Sequence, residues 1–308
     1  MTEDKHQALI VRGVNLWNDW RDKNPSINPE LIRITLHKAN LRQANLAMVN
    51  LTEGDLTMVD LCMATLEGST LYKANLSGAN LYTTKLVKAN LREANLTRSD
   101  LREANLARVD MCLANLEKAN LSWADLRDAS LYTATLTGAQ LREADLSRTD
   151  FREANLTQAN LAYANLTQAN LSMAIFSLAN LIGANLYKAN LHKANLSLAN
   201  FCMANLLGAN LKRAICIGAN LIGANLYRAN LYKAVLIQTD LREATLSHTN
   251  LKNANLRNAN LSMANLREAS LCEANLTGAN LHRANLWDAN LEGARLQGAI
   301  MPDGTKHD

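Results

Sequence analysis

From residue 31 to residue 301 a large apolar side chain, nearly always leucine, recurs at every fifth position without a single insertion or deletion, 55 positions in all. Only Met111, Phe151, Phe176, Phe201, Cys216 and Met301 depart from leucine, and each still suits a dry interior, Cys216 filling its place least. Two residues ahead of each stands a small side chain, as at Ala39, Ala44, Ala74 and Ala79, with Gly54, Ser69, Thr84 and Val109 as variants. Asn or Asp usually comes immediately before the leucine. A continuous α-helix cannot use this pattern, because five steps of ~100° smear the apolar residues around its axis. A straight strand fails as well, since five steps of ~180° send successive leucines to opposite faces. The period works if each pentad is a short extended piece, its small residue and leucine both turned inward, followed by a corner. Asn and Asp tolerate left-handed or turn conformations and bond nearby amides, so the corner is expected to lie with them.

Proline supplies a separate check. Stacked coils use backbone donors in ladders, and a proline removes one. Pro25, Pro29 and Pro302 all lie outside the repeated region.

The unit is plain in LIGANLYKANL, from Leu181 to Leu191. It resembles the A-(N/D)-L-x-x unit of the pentapeptide-repeat family, and the resemblance covers 271 of the 308 residues. It implies an all-β fold, a right-handed quadrilateral β-helix (a β-solenoid) with four pentads per coil; the period alone also allows a three-sided coil. The amino-terminal segment and the closing stretch from Leu296 to Thr305 look like the ends of cyanobacterial members. Residues 1–30 are expected to form a helical cap and linker, 31–301 the β-helix, and 302–308 a turn and tail that leads away and frays. Within the cap, a helix over residues 2–23 presents Leu9, Ile10, Gly13, Leu16, Trp17 and Trp20 on one face and stops at Asn24-Pro25. Open ends of a solenoid expose apolar interior and unpaired edges, which is what a cap covers.

Composition narrows the function. Aromatic residues are 5% of the chain, so the interior is aliphatic. The formal charge of +4, from 32 basic and 28 acidic residues of interspersed sign, argues against an acidic DNA mimic and against nucleic acid as partner. No apolar run is long enough to span a bilayer, so no membrane role is expected. The charged opening, Met1 to His6, and five cysteines without metal-ligand spacing point to free thiols in a reducing cytoplasm.

Catalysis needs a pocket with converging polar groups, which a filled aliphatic coil lacks, so no enzyme, cofactor or metal is expected. His6, His37, His192, His248, His282 and His307 are scattered and read as solvated surface residues. Arg-Glu pairs such as Arg92-Glu93, Arg142-Glu143 and Arg267-Glu268 occupy the two outer positions and read as surface ion pairs worth ~0–1 kcal/mol each.

The outer surface changes character between about residues 175 and 237. If residues 20 apart stack, Leu178, Leu198, Ile217 and Ile237 fall on one side, with Ile182, Cys202, Met203 and Ile222 on the next. Tyr187, Leu207 and Tyr227 fall on the third. Ile175, Ile215 and Val235 take the place of the usual Asn or Asp. So large an apolar girdle marks a contact surface for a protein partner or a second copy of the chain. Beside it runs a basic column of His192, Lys193, Lys212, Arg213, Lys233 and Lys252, with Tyr232 among them, the alternative site for an anion or a nucleic-acid backbone. The reading that results is a non-enzymatic scaffold or regulator docking a protein partner. Of the roles the resemblance implies, regulation through protein contacts, as in cyanobacterial cell differentiation, fits better than topoisomerase protection, which uses strongly acidic surfaces.

Overall fold

Five backbone amides per pentad must each find an acceptor, and how they do so determines the coil. The computed structural model of the chain describes residues 3–308. In the pentad that opens at Leu191, the leucine amide donates to Asn210 O (2.7 Å) and Lys193 N to Lys212 O (3.0 Å), both in the following coil. Ala194 N closes a tight turn onto Leu191 O (3.0 Å), and Asn195 N reaches back to Ala174 O (2.9 Å). The fifth amide, at His192, donates to the side chain of Asn190 at 3.3 Å. Where a repeat has Asn or Asp at this position, its side chain is the acceptor that completes the accounting, since a buried unpaired amide costs about as much as a lost hydrogen bond.

Coils pair in parallel through single bridges between residues 20 apart, from Glu30 with Asn50 to Ser130 with Asp150 within residues 1–150 and from Asn155 with Ile175 to Asn280 with Ile300 within residues 151–308, so each coil contains four pentads. The bridging residue is the Asn/Asp position. This corrects one expectation, because Asn and Asp are not the left-handed residues of the corner. That conformation belongs to the second outer position, where Lys193, Leu198 and Met203 all have φ of 58° and glycines such as Gly208 have 66°. The positive φ at the third residue of a hydrogen-bonded turn resembles a type II turn, and a side chain there costs ~1–2 kcal/mol. Burial of a leucine in every pentad, worth ~2 kcal/mol, opposes that cost.

The leucines and the small residues two positions ahead of them are buried throughout most of the repeat, as the inward pairing requires. The chain falls into two compact units, residues 1–150 and 151–308, each built from this same coil.

The first unit begins with α1 (Glu3–Val11) and α2 (Val14–Lys23). The single helix expected over residues 2–23 is broken at Gly13, whose φ of 125° does not continue a helix; its expected first residue lies outside the described residues. Ile10 and Trp17 are buried as anticipated, whereas Leu16 is exposed. The helices attach to the edge of the first coil through side chains. Trp17 Nε1 donates to Asn45 O (2.8 Å), Asn18 Oδ1 accepts from Asn45 N (2.8 Å), and the Arg21 guanidinium donates to Ile27 O (2.6 Å) and Ala47 O (2.8 Å). His6 is also buried here, against the Trp20 ring at 5.2 Å, and is not the solvated histidine the sequence suggested. Burial holds it below the usual imidazole range.

The second unit ends differently from expectation. The chain beyond Met301 turns back rather than away: Lys306 bridges Ile300 in antiparallel fashion, Gly298 N donates to His307 O (2.7 Å) and His307 N to Ala299 O (2.8 Å).

Candidate functional site

The bridging position shows how the site arises. Among all the bridging residues of the repeat only Ile175, Ile215, Val235 and Ile300 are apolar. Three of those four belong to one ladder, in which Ile175 bridges Asn195, Asn195 bridges Ile215, and Ile215 bridges Val235. They form a wall with the outer residues that follow them. Leu178 and Leu198 (60% exposed) stand at its corner, with Ile217 (38% exposed) and Ile237 in the next coils. Leu198 lies over Gly218, where a side chain would collide with it.

Of the remaining residues read from sequence, Ile182, Met203 and Ile222 lie along the next side and Leu207 along the third. Met203 is 67% exposed, while Ile182, Leu207 and Ile222 are half-buried. The girdle is thus densest on the wall carrying Ile175, Ile215 and Val235 and thins beyond it.

Replacing Asn by Ile or Val removes the fifth acceptor. Where Asn155 and Asn195 remain, Thr157 N and Ser197 N are held at 3.0 and 3.1 Å. At Ser177, Ile217 and Ile237 the corresponding amides donate to no acceptor among the described residues. The wall therefore combines apolar side chains with three outward donors that a partner can use. Sequence reading located the substitutions but not these donors, which become visible only once the Asn side chain is seen to accept.

Behind the wall the interior is closed. Cys216 points inward among Leu196, Phe201, Leu206, Leu211, Ala219 and Leu221, and burial pushes its thiol up to about 12.

The basic column borders the same wall. Lys193, Arg213 and Lys233 occupy the corner two residues ahead of Asn195, Ile215 and Val235. Lys212 and Lys233 both lie over the Tyr232 ring, at 5.5 and 5.3 Å, a cation–π arrangement that leaves their charge available to solvent. From residue 154 to residue 239 the sequence contains no Asp or Glu at all, yet it contains Lys188, Lys193, Lys212, Arg213, Arg228 and Lys233. None of the six takes part in an ion pair among the described residues. Lys252, at the far end of the column, does reach Glu273, at 3.9 Å. Elsewhere opposite charges are interlaced, although the partners vary: Arg142 meets Glu143 and Arg267 meets Glu268, but Arg92 pairs with Asp110 and Arg102 with Asp100.

A four-pentad coil with a filled aliphatic interior defines a β-solenoid of the quadrilateral class. The chain belongs to the pentapeptide repeat family: the description "Pentapeptide repeats (8 copies)" matches it in a series of segments between residue 30 and residue 301. Members form right-handed quadrilateral β-helices and are generally non-enzymatic structural or regulatory proteins.

Among solved structures the chain is similar to HetL, a pentapeptide repeat protein involved in heterocyst differentiation regulation from the cyanobacterium Nostoc sp. strain PCC 7120. Identity is 30% over 94% of this chain and 98% of HetL, with a TM-score of 0.28. It is 42% identical to Rfr23 from the cyanobacterium Cyanothece 51142, over 28% of this chain and 58% of that one (TM-score 0.28). It is 20% identical to QnrB1, a plasmid-mediated fluoroquinolone resistance protein, over 67% of this chain and 90% of that one (TM-score 0.25). No match is found among curated proteins. No described helix is long and apolar enough to cross a membrane.

Proposed function

We propose that the protein is a scaffold or regulator that acts by docking a protein partner on the wall formed by Ile175, Leu178, Leu198, Ile215, Ile217, Val235 and Ile237. One observation supports this above the others. Apolar residues replace the hydrogen-bonding Asn or Asp three times in one ladder, each time leaving an amide unpaired. Amides also lack an acceptor among the described residues where Thr65, Lys85 or Ser270 stands at the bridging position, so the unpaired amide alone does not mark the wall; what random drift would scatter over four ladders is the apolar replacement, and here it recurs in one. Clustered apolar residues on one wall are what a docking surface needs, and partner contacts can engage the amides among them. The mechanism is steric: a rigid wall holds its partner with a few apolar anchors, the mode in which a minority of contact residues carries most of the affinity.

Affinity purification with the wild-type chain and with Leu198→Glu and Ile217→Glu tests the reading. Both positions are exposed, so the variants keep the fold. The expected result is a partner recovered by the wild type and lost by both variants; recovery of the same proteins by all three overturns it.

A further inference from the structure

We infer that the occupant of this wall is an acidic amphipathic protein segment, one that sets apolar side chains on Ile215, Ile217 and Leu198 and carboxylates against Lys193, Arg213 and Lys233. The inference rests on the docking reading above and adds the chemistry of the partner.

Charge is the first argument. A stretch of 86 residues without one carboxylate, in a chain that otherwise interlaces its signs, leaves six cations without an ion-pair partner among the described residues. Three of them line the edge of the apolar wall itself. Like charges gathered at one corner repel each other, and Lys212 and Lys233 share a single ring as their only aromatic neighbour there. An approaching carboxylate relieves that repulsion and gains charge-assisted hydrogen bonds, strongest and bidentate at Arg213.

The unpaired amides narrow the choice further. Ser177, Ile217 and Ile237 each present a donor within the apolar surface, and covering them without an acceptor is costly. The acyl region of a lipid bilayer offers no acceptor. A nucleic-acid backbone offers acceptors but nothing to cover Leu198 or Ile217. A second copy presenting the same wall brings cations and unpaired donors of its own and no carboxylate between residues 154 and 239. A protein segment with both carbonyl or carboxylate oxygens and apolar side chains meets all three requirements.

The experiment uses the full chain with the photo-crosslinker benzoylphenylalanine replacing Leu198. A control chain carries it at Gln158, in the same corner column two coils earlier and outside the apolar wall. Each is irradiated in extract of the producing cell, and the segment captured at position 198 but not at 158 is sequenced by mass spectrometry. That segment is then synthesised, and its binding is measured to the wild type and to Arg213→Glu/Lys233→Glu, whose melting temperature is checked against the wild type.

The expected segment carries at least two Asp or Glu residues among apolar ones. Its affinity falls ~tenfold or more in the double variant, and falls again between low and physiological salt. A captured protein segment without carboxylates, or affinities within twofold of each other, overturns the acidic chemistry and leaves the docking reading standing. Capture of lipid, nucleic acid or a second copy of the chain overturns the inference in favour of that occupant. Failure to capture anything specific to position 198 overturns both.

Discussion

The ring of Tyr163 lies directly over the backbone of Gly183 in the following coil, so near that a Cβ built on Gly183 would sit 2.7 Å from two of the ring carbons. The left-handed corner thus serves two kinds of residue. Most coils hold an ordinary side chain there at modest strain; a few use glycine to let an exposed side chain of the neighbouring coil lie flat. The two uses separate by mutation. Gly208 has the same conformation, but its Cβ would meet only Lys188 Cγ at 3.5 Å. Gly208→Ala should cost ~1 kcal/mol, the backbone strain alone. Gly183→Ala should cost ~2–3 kcal/mol in urea unfolding, because the ring must also move. Adding Tyr163→Ala to Gly183→Ala should bring the cost down to that of strain plus the lost ring contact, a coupling read from the double-mutant cycle.

Restoring the missing acceptors on the apolar wall should stabilise the chain. Ile215→Asn and Val235→Asn each return a side-chain oxygen to an unpaired amide, those of Ile217 and Ile237, in a geometry that Asn195 already shows works in this ladder. Each hydrogen bond is worth ~0.5–1.5 kcal/mol net, partly offset by the apolar contact that Ile215 or Val235 gives up. The expected outcome is a higher urea midpoint for both variants together with weaker capture of the partner. Lower stability in both would show that the wall is kept for the fold and not for binding.

Much of this was legible in the sequence because the repeat is a direct imprint of the interior. One leucine and one small residue per pentad report two inward positions, and neither depends on contacts far away in the chain. The corner was misplaced for a physical reason. Asn and Asp are the usual left-handed residues, but here their side chains are needed as acceptors, and the turn falls instead on Lys193, Leu198 and their equivalents, whose identity the interior does not constrain. His6 was misread because its neighbours, Trp20 and the first coil, come together only when Gly13 folds α1 back on α2. The residues of the apolar wall were found by stacking positions 20 apart. The free amides among them were not, since their vacancy follows from a hydrogen bond that no composition records.

Thr239 occupies a small-residue position and is buried, its hydroxyl donating to Cys216 O at 2.7 Å. That carbonyl already accepts from Ala219 N at 3.1 Å, so removing the hydroxyl leaves no orphaned acceptor. Val49, Val59 and Val109 fill the equivalent position elsewhere, fully buried. Thr239→Val should therefore change stability by no more than about 0.5 kcal/mol. Leu236→Ala, three residues earlier, should cost ~2–5 kcal/mol, because the filled interior has nothing mobile to close the cavity. Comparable losses for the two variants would contradict the division between an essential leucine and a size-limited small position.

The thiol of Cys216 gives the fold a defined alkaline limit. In the unfolded chain it titrates near its ordinary value of 9.0, whereas in the interior burial raises it to about 12, with only apolar side chains around it. Below pH 9 both states hold the proton and stability is unaffected. Between pH 9 and 12 the unfolded chain loses its proton and the folded chain keeps it, so the unfolded state binds fewer protons and stability falls as pH rises, by at most about 1.4 kcal/mol per unit. Urea unfolding at pH 8 and pH 10.5 should show a loss ~2 kcal/mol larger for the wild type than for Cys216→Ala, which has no thiol to ionise. Every other ionisable group is common to both proteins and cancels in the difference. Equal losses in the two would mean that the interior at this level opens to hydroxide, and that the wall it supports is not rigid.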